Sequence, residues 1–208
     1  MPLQNRVDPW GQLNAVNARG AWLGNRGILH NDLKEIVAPW RHKSWVTCEL
    51  AYKDRKRTIF SSGSYSELFF LDEATALSAG HRPCAECRRA RYVEFKDQWI
   101  KANADPSDIK VPVSTIDKQL HSERAVRGGK KVTYSGEFKS LPSGAFIERD
   151  GIACLYWQGR LLKWSPSGYV EGYSLPHQDE LVTILTPQSI VRMFQNGFTP
   201  QVHESAGG

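Results

Sequence analysis

Hydrophobic and polar positions change period several times along the chain. "SWVTCELAY" (44–52) alternates apolar and polar side chains, "KDRKR" (53–57) is a charged turn, and "TIFSS" (58–62) resumes an extended pattern. This pattern predicts a β-hairpin over 44–61, with Cys48 in its first strand. "SELFFL" (66–71) predicts a third strand. Asp72 is then placed to cap a short helix through Ala79, and Gly80 stands where a helix stop is wanted. Pro83 suits the first position of a longer helix, along which Tyr92, Phe95 and Trp99 recur at helical spacing, with Val93 and Ile100 beside them.

Beyond a polar stretch at about residue 105, "STIDKQLHSERAV" (114–126) reads as a helix that breaks at "RGGKK". From residue 144, short β-branched and aromatic runs are separated by Asp-Gly, Gln-Gly and Pro-Ser-Gly turns, the pattern of a β-meander. "LVTIL" adds a strand, "PQSIVRMFQNG" a helix started by proline and stopped by glycine, and "FTPQVHESAGG" an extended tail. The first 30 residues read as an ordered loop anchored by Trp10 and Trp22, followed by a short helix through "NDLKEIVAPW". The expected class is α+β: a loop-rich segment over 1–43, a metal-binding β-hairpin/helix module over 44–103, and a β-rich domain with a closing helix over 104–208.

Composition supports a buried core, with 40% apolar residues and seven Trp in 208. No run of 18 apolar residues occurs and no signal-peptide pattern opens the sequence, so the expected setting is the cytoplasm. Reducing conditions there turn attention from disulfides to metal or redox use of the four cysteines, at 48, 84, 87 and 154. Cys154, within "GIACLYW", reads as a small buried hydrophobe.

"RPCAEC" carries the most specific chemistry. A Cys-x-x-Cys turn brings two thiolates onto one tetrahedral metal, and a helix start there would ease their ionisation. A redox pair and a pair of unligated structural cysteines are the competing readings.

Together with the preceding strand, "ELFFL", the stretch "ALSAGHRPCAEC" resembles the second half of the zinc-binding N-terminal domain of the Ada DNA-repair family, over residues 44–100. The resemblance implies Zn2+, two zinc thiolates from Cys84 and Cys87, and DNA as partner. That family completes its site with two further cysteines four positions apart, one of which accepts a methyl group from a DNA phosphotriester. Cys48 takes the upstream place and with it the alkyl-acceptor role; four residues on stands Tyr52. His81, three residues before Cys84, is the expected further ligand, with His42 and His30 as the other histidines on this side of residue 105.

"RPCAECRRA" is also similar to the Pro-Cys-x-x-Cys helix start of zinc-dependent cytidine deaminases. Their proton-shuttling Glu lies two residues beyond the third ligand; here Glu49 follows Cys48 directly.

The net charge of +5 is one-sided: residues 1–103 hold 16 Lys/Arg to 11 Asp/Glu, and the remainder balances. A local basic field favours a polyanion. Arg88, Arg89 and Arg91 beyond the cysteine turn, with Lys53, Arg55, Lys56 and Arg57 at the hairpin tip, are candidate phosphate contacts. Pairing of Arg88 and Arg89 with Glu86 or Asp72 is the plain alternative. Trp40, Trp45 and Tyr65 are candidate stacking platforms. "GNRG" (24–27) has the glycines and the arginine of a phosphate-cradling turn, yet matches neither a P-loop nor a dinucleotide fingerprint. The function expected is recognition or repair of damaged or modified DNA by a zinc protein. The alternatives are a zinc-dependent enzyme on nucleic acid (deaminase, nuclease or alkyl acceptor) and an interaction module stapled by zinc.

Overall fold

A computed structural model describes residues 1–53, 58–107 and 110–207. Two six-stranded sheets and four α-helices make a mixed α+β fold. The first sheet is built from short strands β1 (Arg6–Val7), β2 (Leu13–Asn14), β3 (Trp22–Asn25), β4 (Val46–Cys48), β5 (Leu68–Phe70) and β6 (Arg82–Pro83), in the order β2-β1-β5-β3-β4-β6. Helix α1 (Glu73–Ser78) separates β5 from β6, and α2 (Arg89–Asn103) and α3 (Val113–Arg124) follow.

The second sheet holds β7 (Tyr134–Glu137), β8 (Phe146–Arg149), β9 (Ile152–Trp157), β10 (Arg160–Ser165), β11 (Gly168–Tyr173) and β12 (Leu181–Ile184). β8 to β11 pair in sequence, as the turn pattern predicts, while β12 inserts between β8 and β7. Helix α4 (Gln188–Gln195) starts after Pro187, and the tail ends in a 3-10 turn over Glu204–Ala206. No helix among the described residues is long and apolar enough to cross a membrane.

Four local expectations fail, the first being the ordered loop over the first 30 residues, which instead supply β1, β2 and β3 to the first sheet. β4 has no hairpin partner within 58–61; its neighbours are β3, antiparallel, and β6, parallel. "NDLKEIVAPW" forms no helix, because Lys34 takes φ +62° and an isolated bridge joins His30 to Ile36. Pro83 sits in β6 rather than at a helix start, and α2 begins six residues later.

α1 is where the sheets meet. All six of its residues are buried, and its cap Asp72 accepts from Thr75 N at 2.8 Å, Tyr169 Oη at 2.7 Å and His203 N at 3.0 Å. One carboxylate therefore fixes the helix start, a strand of the second sheet and the C-terminal tail. The apolar clusters also cross residue 105. Leu71 and Ala74 pack with Phe146, Leu155 and Leu162, and Phe95 and Trp99 pack with Ile116, Ile190 and Met193. Cys154 is fully buried among apolar neighbours.

Candidate metal centre

Cys48 ends β4, while Cys84 and Cys87 occupy the turn between β6 and α2. The parallel pairing of β4 with β6 brings them together: Val46 stands beside Arg82, Thr47 beside Pro83, and Cys84 N donates to Thr47 O at 2.9 Å. All three sulfurs lie within 4.8 Å of one another, and each cysteine is half-buried. Among the described residues this is the one group of three such side chains close enough to hold an ion.

The turn supplies donors to sulfur. Glu86 N donates to Cys84 Sγ at 3.4 Å, as does the backbone of Cys87, and the Glu49 backbone donates to Cys87. Hydrogen bonding from Cys48, joined by these amides, holds the Cys84 thiol below its ordinary range and favours its thiolate. Cys48, the donor, is correspondingly raised, and burial raises Cys87. Three sulfurs within 4.8 Å of one another are close enough to share one metal ion, to which thiolates bind at about 2.3 Å when it is Zn2+. A softer donor set than three thiolates is hard to build from protein, which suits Zn2+ over the oxygen-seeking Mg2+ or Ca2+.

His81 is absent from the cluster. It is fully buried, and its Nε2 accepts from Arg26 Nε at 3.1 Å while its ring packs edge-on to Phe70 at 4.7 Å. Burial and the neighbouring Arg26 hold it neutral, far below its ordinary range. His30 bonds to Ser66 Oγ at 2.6 Å and stacks on Phe60, and His42 also lies outside the sulfur group.

Two of the candidate phosphate-binding arginines are spoken for. Buried Glu73 accepts from Arg88 Nη2 at 2.7 Å and Arg91 Nη2 at 2.6 Å. Arg88 also donates to Thr47 Oγ1 and lies 3.7 Å over the Trp22 ring, and Arg91 lies 4.0 Å over Phe198. The partner is thus Glu73, which sequence reasoning passed over, since nothing local marks an acidic residue in a helix's first turn as buried. Arg89 remains exposed, and exposed Lys53 is 3.7 Å from Glu86. Arg55, Lys56 and Arg57 lie outside the described residues. Of the expected stacking platforms, Trp45 is buried, and Trp40 and Tyr65 are half-buried.

No protein-family model matches the chain, and neither a curated protein nor a solved structure does.

Proposed function

We propose that this is a zinc-binding protein that acts on modified DNA, with Cys48, Cys84 and Cys87 as the metal ligands. The convergence of those three sulfurs from a strand and a turn 36 residues apart in sequence numbering carries the reading. Bound zinc would keep the thiolates deprotonated and fix their positions. Support for DNA comes from the Ada-like order of strand, short helix closed by Ala79-Gly80, and Arg-Pro-Cys-x-x-Cys turn. Exposed Arg89 and Lys53 beside that turn add to it.

Cys48 is the group we assign to alkyl transfer, the second half of the reading. It is half-buried, ends its strand, and is joined to Cys84 by a sulfur hydrogen bond. In that step the Cys48 sulfur, as the thiolate that bound zinc would leave once its proton has gone to solvent, would attack the methyl carbon of a phosphotriester. An S–C bond forms, the C–O bond breaks with its electron pair, and a phosphodiester anion leaves.

Metal analysis and mass spectrometry test both halves. The purified chain is expected to carry one zinc, and Cys84→Ser less than about 0.2 per chain. After incubation with methylphosphotriester DNA, Cys48 should gain one methyl mass. A zinc-free wild-type chain removes the metal reading; zinc without the mass gain removes the acceptor role.

A further inference from the structure

On the side of the first sheet that holds His81, cationic side chains gather without matching anions. Arg26 and Arg124 are each 2% exposed, and half-buried Lys131 donates to Ser78 O. Both guanidinium groups lie over the Trp45 ring, at 4.1 and 3.9 Å. Arg26 donates through Nε to His81 and through Nη1 to Gly11 O, but its Nη2 has no hydrogen-bond partner among the described residues. Nε of Arg124 is equally unpartnered.

Two carboxylates are near, and both are occupied. Asp117 is taken by Arg82 at 2.7 Å and by Ser44, while Asp8 accepts from Gln12 N and Asn14 Nδ2. None of Arg26, Arg124 and Lys131 has a carboxylate of the described residues within ion-pair distance. Burying such charge with so little compensation is costly, so an excess of this kind points to a missing anion.

Space for one lies alongside. A cavity of about 320 Å³ is lined by Arg26, Arg124, Trp10, Trp40, Trp45 and Val37, among others. Its size is at the lower end for small-molecule sites, and its walls combine aromatic faces with two guanidinium groups. Two lining residues meet closely at one edge: a Cβ on Gly129, at φ +89°, would lie 2.9 Å from Pro39 Cβ. We propose that this cavity binds a small organic anion, a carboxylate or phosphate monoester carried on a flat apolar body. The anion meets Arg26 and Arg124, and the body lies against the tryptophans.

Burial lowers all three cations, and neighbouring arginines lower Arg124 and Lys131 further, while Asp8 partly offsets the effect on Arg26. Arg26 is lowered to about 9 and Lys131 to about 7, and Arg124 falls well below its ordinary value. A bound anion reverses each of these penalties. The site involves none of the three cysteines, so it stands or falls apart from the metal.

Calorimetric titration with two probes, 4-hydroxybenzoate for the carboxylate arm and adenosine 5′-monophosphate for the phosphate arm, tests the proposal. At least one is expected to bind with Kd below about 1 mM and to perturb tryptophan fluorescence. Arg26→Met should abolish the binding. Because that variant disturbs a buried network, Val37→Glu provides the control on a residue 55% exposed at the rim. The added carboxylate is expected to weaken binding about fivefold, whereas Val37→Lys leaves it equal or tighter. Failure of both probes to bind at about 10 mM, or binding that Val37→Glu leaves unchanged, overturns the proposal.

Discussion

Glu73 ties three parts of the molecule together. Its oxygens accept from Arg88 on the cysteine turn, Arg91 on α2 and the Gln201 backbone in the C-terminal tail, with the side chain 1% exposed. Burial alone would raise its pKa, yet the bonds and charges of Arg91 and Arg88 win, and the group is held below its ordinary range. Glu73→Gln keeps the volume but leaves buried Arg88 and half-buried Arg91 facing an amide. It is expected to cost roughly 3 kcal/mol, because removing one partner of a buried pair exposes the desolvation of the other. Urea unfolding of the two proteins reads this directly; a loss under about 1 kcal/mol would mean that the arginines find other acceptors. Residue identity did not reveal this. Arg88 and Arg91 look like a phosphate-binding pair in sequence, and burial of Glu73, a tertiary property, converts them into internal struts.

At the scale of elements, what is legible is what is local. Asp72 and Gly80 mark α1 because capping and the left-handed stop, at φ +84°, act within one or two turns. β8 to β11 are legible for the same reason, each joined to the next by a short glycine turn. The hairpin expected at 44–61 fails because β4 is satisfied by distant strands, β3 and β6, and alternation in a strand does not name its partner. That same non-local pairing assembles the three cysteines, so the Cys-x-x-Cys half of the site is readable while the arrival of Cys48 needs the sheet. His81, placed by spacing beside the cysteines, faces instead the buried Arg26. One irregularity makes a sharp test. The register of β10 and β11 slips between Leu161 and Leu162, and a Cβ on Gly172 would stand 1.8 Å from Leu161 O. Gly172→Ala therefore forces the bulge open, at an expected cost of about 2 kcal/mol, visible as a lower urea midpoint with unchanged slope. An unchanged midpoint would show that the bulge relaxes freely.

For the whole molecule, the positive charge gathered around Arg26, Arg124 and Lys131 sets a pH dependence. Lys131 faces Arg124, Arg26 and Asp8, and burial is the largest cause that lowers it to about 7 from 10.5. Between about pH 7 and 10 the unfolded chain keeps this proton and the folded chain has released it, so unfolding takes up a proton and stability rises with pH. Below pH 7 both states are protonated, and the folded state carries the full penalty of a buried ammonium. Lys131→Met removes the penalty at every pH. Its advantage over the wild type, apart from a constant offset for the lost bond to Ser78 O, should be largest near pH 6 and shrink steadily towards pH 9. Comparing the two chains cancels the thiols, whose titration overlaps this window. A stability difference that stays flat from pH 6 to 9 would mean that Lys131 reaches solvent in its charged form. Saturating the cavity with an anion that binds should in turn reduce the difference at pH 6, since the ligand adds to the counter-charge that Asp8 and Asp117 supply only in part.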